Sequence, residues 1–177
     1  AESDLVPGLI VDRYGDYLVV QCLTLGIAQR REVLVAALAQ ALSPAGIHDR
    51  SDVDVRAQEG LDPVTGVLYG QAPPPEIEIV EHGHRFGVDL ARGQKTGFYL
   101  DQRENRRALA RYARGSEMLD AFAYSGGFSV YAVRAGAGPI TLLDASSEAL
   151  DQARRNLQRN GPDRTGLTFD QGDVFEM

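Results

Sequence analysis

No apolar run in this 177-residue chain approaches the roughly 18 residues that a membrane span requires, and no signal peptide opens it. The expected compartment is the cytoplasm. Cysteine is nearly absent: Cys22 stands alone, so no internal disulfide framework can form, and its place in the apolar run from Leu18 to Leu25 suits a buried structural thiol. Positive charge is scarce. Eighteen Lys and Arg face 25 Asp and Glu for a formal net charge of -7, which argues against nucleic-acid binding by bulk attraction. A local basic patch or a separate binding domain stays open. Repeats and low-complexity tracts are also missing. What is present is ordinary for a globular protein, at 44% apolar and 24% charged residues, with length for one large domain or two small ones. The first residue is Ala1 rather than methionine, so an excised piece of a longer protein is expected.

Along the chain, Gly8 to Val11 and Tyr17 to Leu25 read as strands of a hairpin around residues 12–16. Apolar residues at Val33, Leu34, Ala37, Leu38 and Ala41 predict a helix over Ile27 to Leu42, stopped by Ser43-Pro44. Ile47 to Asp49 fits a short strand, Arg50 to Gly66 carries no readable period, and Val67 to Gly70 fits a strand end. Ile77, Ile79, Val88 and Leu90 alternate around His82-Gly83-His84, predicting a second hairpin. Without a cysteine nearby, the two histidines fit a solvated turn tip better than a metal site. Residues 1–92 thus read as a small α+β domain, with the boundary between Pro73 and Arg92.

Residues 93–177 have a different rhythm. Asp101 is a candidate N-cap with Glu104 three residues on, followed by Leu109 and Tyr112 at helical spacing and a stop at Gly115. Strand Glu117–Ala121, helix Gly127–Ala135, strand Ile140–Asp144, helix Ser147–Asn160 and strand Leu167–Gln171 then alternate. Such alternation implies right-handed crossovers and a parallel, Rossmann-like α/β sheet. Ser146 or Ser147 caps the last helix, which turns Ala149, Leu150, Ala153 and Leu157 inward.

The chemistry concentrates at the carboxyl edge of that sheet, where open α/β sheets collect ligands. Gly126 and Gly127 permit a tight bend and close backbone approach, and the helix that begins there offers free N–H groups. Asp120, Asp144 and Asp173 fall at three successive strand ends. A carboxylate at Asp144 can accept two bonds from vicinal ribose hydroxyls, and one at Asp173 suits the exocyclic amine of adenine. The turn Tyr124-Ser125-Gly126-Gly127-Phe128-Ser129 lacks the G-x-G-x-x-G of dinucleotide dehydrogenases, and three acids suit an uncharged nucleoside better than a pyrophosphate.

Two long motifs, Lys95-Thr96-Gly97-Phe98-Tyr99-Leu100-Asp101-Gln102-Arg103 and Asp120-Ala121-Phe122-Ala123-Tyr124-Ser125-Gly126-Gly127-Phe128, resemble the S-adenosylmethionine-dependent RNA methyltransferases that make 5-methylcytosine in bacterial 23S ribosomal RNA. Pro7 to Gly15, Asp49-Arg50-Ser51-Asp52 and Val80-Glu81-His82-Gly83 resemble the middle domain of the same proteins, so the likeness spans nearly the whole chain. It implies an incomplete class I methyltransferase sheet preceded by the small α+β domain, with S-adenosyl-L-methionine as cofactor, 23S ribosomal RNA as partner, and neither metal nor membrane. Position by position, it implies that Asp120, Phe122, Tyr124, Gly126 and Gly127 form the loop under the methionine and sulfonium part. Asp144, with Ser146 beside it, would hold the ribose, Asp173 would meet the adenine, and Gln102 and Arg103 would lie near the cofactor carboxylate. Lys95 fits a loop charge or an RNA contact.

The resemblance also implies missing parts. Complete members carry an N-terminal PUA domain and, past the third strand, a Pro-rich loop with a nucleophilic cysteine. Cys22 lies in the wrong domain for that role, so no catalytic residue is expected here. A chain of this extent would be inactive alone, and the free edge of its first sheet strand would invite aggregation unless another chain, as in a homodimer, pairs with it. Methylation of another RNA base and a non-catalytic nucleoside-binding or assembly role are the competing readings.

Overall fold

The computed structural model describes residues 4–91, 93, 96–161 and 165–176; Lys95 lies outside them. The chain forms two compact units, Ala1–Ile77 with Val88–Phe98, and Glu78–Gly87 with Tyr99–Met177. The units interleave in sequence: residues 78–87, which fall inside the predicted 1–92 domain, belong with the second unit. Among the described residues no helix is long and apolar enough to cross a membrane.

In the first unit, β1 (Leu9–Tyr14) and β2 (Tyr17–Cys22) pair antiparallel across a two-residue turn, with Gly15 at φ +59°. The first arm runs past the expected Val11 to Tyr14, and the second stops at Cys22, short of the expected Leu25. The single helix expected over 27–42 is two, α1 (Leu25–Ala28) and α2 (Arg31–Leu42). The break has a local cause: the Arg30 N–H bonds Ile27 O three residues back, and its guanidinium takes the Gly26 carbonyl, closing the first turn. β3 (Gly46–Ser51) follows, buried along all six residues, then a 3₁₀ turn over Asp54–Glu59 fills the stretch without period, and β4 (Val64–Gly70) closes the sheet. The order is β1-β2-β3-β4, with only β2 and β3 parallel. Leu18, Val20 and Ile47 form its core, covered by Val35, Leu38 and Ala39 of α2. Cys22 is buried, as expected, and burial pushes its thiol up.

The second unit opens with the predicted hairpin, β5 (Ile77–Glu81) and β6 (His84–Val88), turning at His82 and Gly83, both at positive φ. The tip is solvated at His82 and Gly83, as expected, but both histidines also pack on Tyr131. His82 Nδ1 lies 2.9 Å from the Tyr131 hydroxyl, and the His84 ring packs 4.1 Å from the Tyr131 ring. Burial there holds the His84 pKa below its ordinary value.

A 3₁₀ turn, Leu100–Gln102, precedes α3 (Arg103–Ala113). Asp101 therefore sits inside that turn rather than at an N-cap, and Tyr112, expected on the inner face, is 80% exposed. Gly115 at φ +71° follows the helix end. Then come β7 (Met118–Ala121), α4 (Gly127–Ala135), β8 (Ile140–Asp144), α5 (Ser147–Arg159) and β9 (Leu167–Gln171), all within a residue of the predicted ranges. The sheet is parallel in the order β7-β8-β9. Ala149, Leu150, Ala153 and Leu157 are buried, so α5 packs with the expected face.

Candidate functional site

The site lies in the second unit, at the carboxyl ends of β7, β8 and β9. Asp120 pairs with Leu142, two residues short of Asp144, so the period-two pleat puts both acids on one side of the sheet. They diverge in use. Asp120 turns inward, 8% exposed, and its Oδ2 accepts from the Ser129 N–H at 3.1 Å and from Ser129 Oγ at 2.6 Å. Ser129 lies in the first turn of α4, whose N-cap, Gly126, has no capping side chain. Asp120 therefore supplies an anion to that helix N-terminus from the preceding strand. Burial raises its pKa to about 6, against the lowering effect of the two Ser129 bonds and with a smaller push from Asp144.

Asp144 fixes the loop from the other side. Its Oδ2 accepts from the Tyr124 N–H at 2.8 Å and its Oδ1 from the Ser146 N–H at 3.0 Å. Ser146 is the N-cap of α5, its hydroxyl oxygen accepting from the Ala149 N–H at 3.1 Å. Between β7 and α4 the chain makes a left-handed passage, with φ of +58° at Phe122, +45° at Tyr124 and +71° at Gly126. Two of the three are not glycine, so the conformation is held against its local cost by the bonds around it. Asn156, fully buried on α5, donates from Nδ2 to Ser125 O at 3.0 Å and accepts the Gly87 N–H on Oδ1 at 2.8 Å. Gly126 is tight: a Cβ there would stand 2.9 Å from the Ala153 Cβ. At Gly127 a Cβ would stand 3.1 Å from Arg106 Cδ, so Arg106 underlies the turn. Arg106 forks onto buried Glu81 at 2.8 and 2.9 Å and also donates to Tyr99 O at 3.0 Å.

Above this frame the site is open and aromatic. Phe122 is 61% and Phe175 86% exposed, yet their ring centroids lie 5.7 Å apart; Tyr99 and Tyr124 meet edge to face at the same separation. Asp173 is exposed past the end of β9, where its Oδ1 accepts from the Phe175 N–H at 2.9 Å. Gln102 and Arg103 sit where the 3₁₀ turn becomes α3. The Gln102 amide bonds Asp101 and Asn105, whereas the exposed Arg103 side chain makes no hydrogen bond or ion pair among the described residues.

The structure thus joins Asp120, Phe122, Tyr124, Gly126, Gly127, Asp144 and Ser146 in one loop system. It leaves Asp173, Gln102 and Arg103 on its exposed surroundings. Phe175, Ser129, Asn156 and Arg106 were not singled out by sequence reading. Only Asn156 carried a signal, as a polar residue on the inward face of α5. A nucleoside-bearing cofactor fits what is open here. A carboxylate has about four lone-pair sites, and Asp144 uses two, leaving two for vicinal hydroxyls. Asp173 keeps Oδ2, and the exposed rings offer flat apolar faces.

A family model described as S-adenosylmethionine-dependent methyltransferase matches residues 28–177. The chain is 45% identical over 176 residues to a ribosomal RNA large subunit methyltransferase I from Erwinia tasmaniensis, covering 99% of this chain and 44% of that protein. A Streptococcus mutans structure described as a SAM-dependent methyltransferase superposes with a TM-score of 0.83 at 30% identity, covering 96% of this chain and 43% of that one. A further structure, of a methyltransferase complexed with SAH, gives 0.82 at 29% identity over the same shares. The chain spans less than half the length of each of these relatives.

Proposed function

The chain belongs to the S-adenosylmethionine-dependent methyltransferase family, and we propose that its second unit holds that cofactor for the methylation of large-subunit ribosomal RNA, at C5 of a cytosine in 23S RNA. The observation that carries the reading is the Asp144 carboxylate. It is pinned by Tyr124 and Ser146 N–H groups at the carboxyl edge of β8, with acceptor capacity left over. Asp144 would hold the ribose hydroxyls, Asp173 the adenine amine, and the backbone of residues 122–127 the methionine part, with Arg103 free to fork onto its carboxylate. When bound, S-adenosylmethionine supplies an electrophilic methyl group. What this chain's own residues contribute is orientation. Asp120 and Asn156 fix the loop, and the flat rings of Phe122 and Phe175 exclude water from one face of the bound nucleoside.

C5 of cytosine becomes nucleophilic only after a thiolate adds to C6. Cys22 cannot do this: it is 3% exposed in the first unit, and burial disfavours its thiolate. The proposed nucleophile is therefore a cysteine outside these 177 residues, and the chain alone would bind cofactor without turnover.

Calorimetry with S-adenosylmethionine, S-adenosylhomocysteine and NAD tests the site. The two sulfur compounds bind, NAD does not, and Asp144→Asn, which replaces one acceptor oxygen with a donor, weakens binding at least ~10-fold. NAD binding, or an Asp144→Asn variant that binds as tightly as the parent, overturns the reading. Methyl transfer to ribosomal RNA by the chain alone overturns the external nucleophile.

A further inference from the structure

The acidic chain carries a basic stripe among its described residues. Arg103, Arg107 and Arg111 repeat every four residues on α3, and Arg114 follows at its C-cap. At 100° per residue the four fall within an arc of about 80°, and they run about 16 Å along the helix. All four are exposed, whereas Arg106, on another face of the same helix, is buried against Glu81. From 103 to 114 the only acid is Glu104, which lies 3.8 Å from Arg107 and 3.6 Å from His82.

Like charges one helical turn apart work against the helix. Some exposed arginines elsewhere are answered by acids, as at Arg154 with Asp151 and Arg85 with Glu78. Although the chain has 25 acids against 18 bases, the one ion pair to a stripe arginine among the described residues is Glu104 with Arg107. Arginines stepping about 4.5 to 6 Å along one helix face match a polymer of regularly spaced anions better than any single small ligand.

The stripe also has a direction. α3 begins beside Tyr99, whose ring meets Tyr124 of the cofactor loop, and ends at Arg114, near Gly136 at the far end of α4. We infer that the Arg107, Arg111 and Arg114 face of α3 is a docking track for the phosphodiester backbone of the RNA substrate, leading it toward the mouth of the loop at Arg103. This rests on RNA being the substrate, as proposed above.

The test uses the whole chain and a fluorescein-labelled RNA hairpin, read by anisotropy from about 50 to about 200 mM salt. Arg107→Gln, Arg111→Gln and Arg114→Gln are combined, with Arg103 left intact. A control combines Arg13→Gln, Arg85→Gln and Arg155→Gln, three exposed arginines off the stripe with the same change in net charge. The stripe variant is expected to bind roughly 10- to 100-fold more weakly near 100 mM salt, and its log K against log salt slope to shrink by about 2 to 3, at 0.7 to 0.9 per lost contact. The control keeps the parent slope.

Equal weakening in both variants means net charge alone and overturns the track. So does an unchanged slope in the stripe variant, or a parent chain that does not bind the hairpin. S-adenosylhomocysteine binding, measured on the same samples, separates this from the cofactor reading. A stripe variant that keeps it is folded and has its loop, whatever the RNA result.

Discussion

Gly126→Ala probes how tightly the loop is built. The substitution meets two separate costs. The residue stands at φ +71°, where an L side chain costs about 1–2 kcal/mol. Its new Cβ would lie 2.9 Å from the Ala153 Cβ and 3.2 Å from the Ala153 Cα, and overpacking of this kind costs about 1–3 kcal/mol. Neither obstacle is the far end of a flexible side chain, so α4 or α5 must shift. The expected loss is about 2–5 kcal/mol, measured by urea unfolding. Ala153→Gly separates the two costs. Alone it loses helix propensity and a buried methyl, about 1–2 kcal/mol. In the double variant it removes the closer overlap, so the cycle should show about 1–3 kcal/mol of favourable coupling while the φ cost persists. A Gly126→Ala loss below about 0.5 kcal/mol, or coupling indistinguishable from zero, refutes the packing of α5 against this turn.

Further outcomes follow from the buried charges. The Asp120 carboxyl is raised in the fold to about 6 from its ordinary 3.8. Its contribution to stability is therefore fully present below about pH 3.8 and is lost as pH rises through 6, a swing of about 3 kcal/mol. Urea midpoints of Asp120→Asn should accordingly gain on the parent between pH 4 and pH 7, and a constant difference across that range contradicts the burial argument. Arg106→Met strands Glu81 as an unpaired buried charge and should cost about 3–5 kcal/mol, much of it restored by adding Glu81→Gln. If the second substitution restores nothing, the pair is not what Arg106 contributes.

Most of β7 through β9 was legible because the strands are short apolar runs with an acid at or just past their ends and the helices between them start and stop at glycine, serine and proline signals. That pattern set β7, α4, β8, α5 and β9 to within a residue. Two features escaped it. The Asp101 and Glu104 pair has capping-box spacing, but the chain enters α3 through a 3₁₀ turn that spends Asp101 before the helix starts. His82 and His84 lie in a hairpin whose turn residues announce solvent, and His82 is exposed, yet Tyr131, 47 or more residues on, contacts both. Contacts at that separation leave no local period. β3 shows the converse. Only Ile47 to Asp49 of Gly-Ile-His-Asp-Arg-Ser reads as strand, but Arg50 finds Leu90 O and Gly93 O and the Ser51 hydroxyl accepts the Cys22 N–H, so the strand runs on, buried, through two further polar residues.

The loop's own bonds bear on how it meets a ligand. Asp120 holds Ser129, Asp144 holds Tyr124, Asn156 holds Ser125, and Arg106 lies under Gly127, so four side chains fix it from β7, β8, α5 and α3. None of these bonds requires a cofactor, and the left-handed residues they hold are already in place. Binding then has little backbone entropy left to lose in this segment, at about 1–2 kcal/mol saved per residue already fixed. The groups without such anchorage, Arg103 and the rings of Phe122 and Phe175, are the exposed ones, so any adjustment on binding falls to side chains. In the cofactor reading proposed above, such a site would meet its ligand with a fixed floor and adjust through exposed side chains. Truncating the Phe175 ring, which holds no part of that floor, should therefore slow association little and speed dissociation, because the loop beneath it is formed before the ligand arrives.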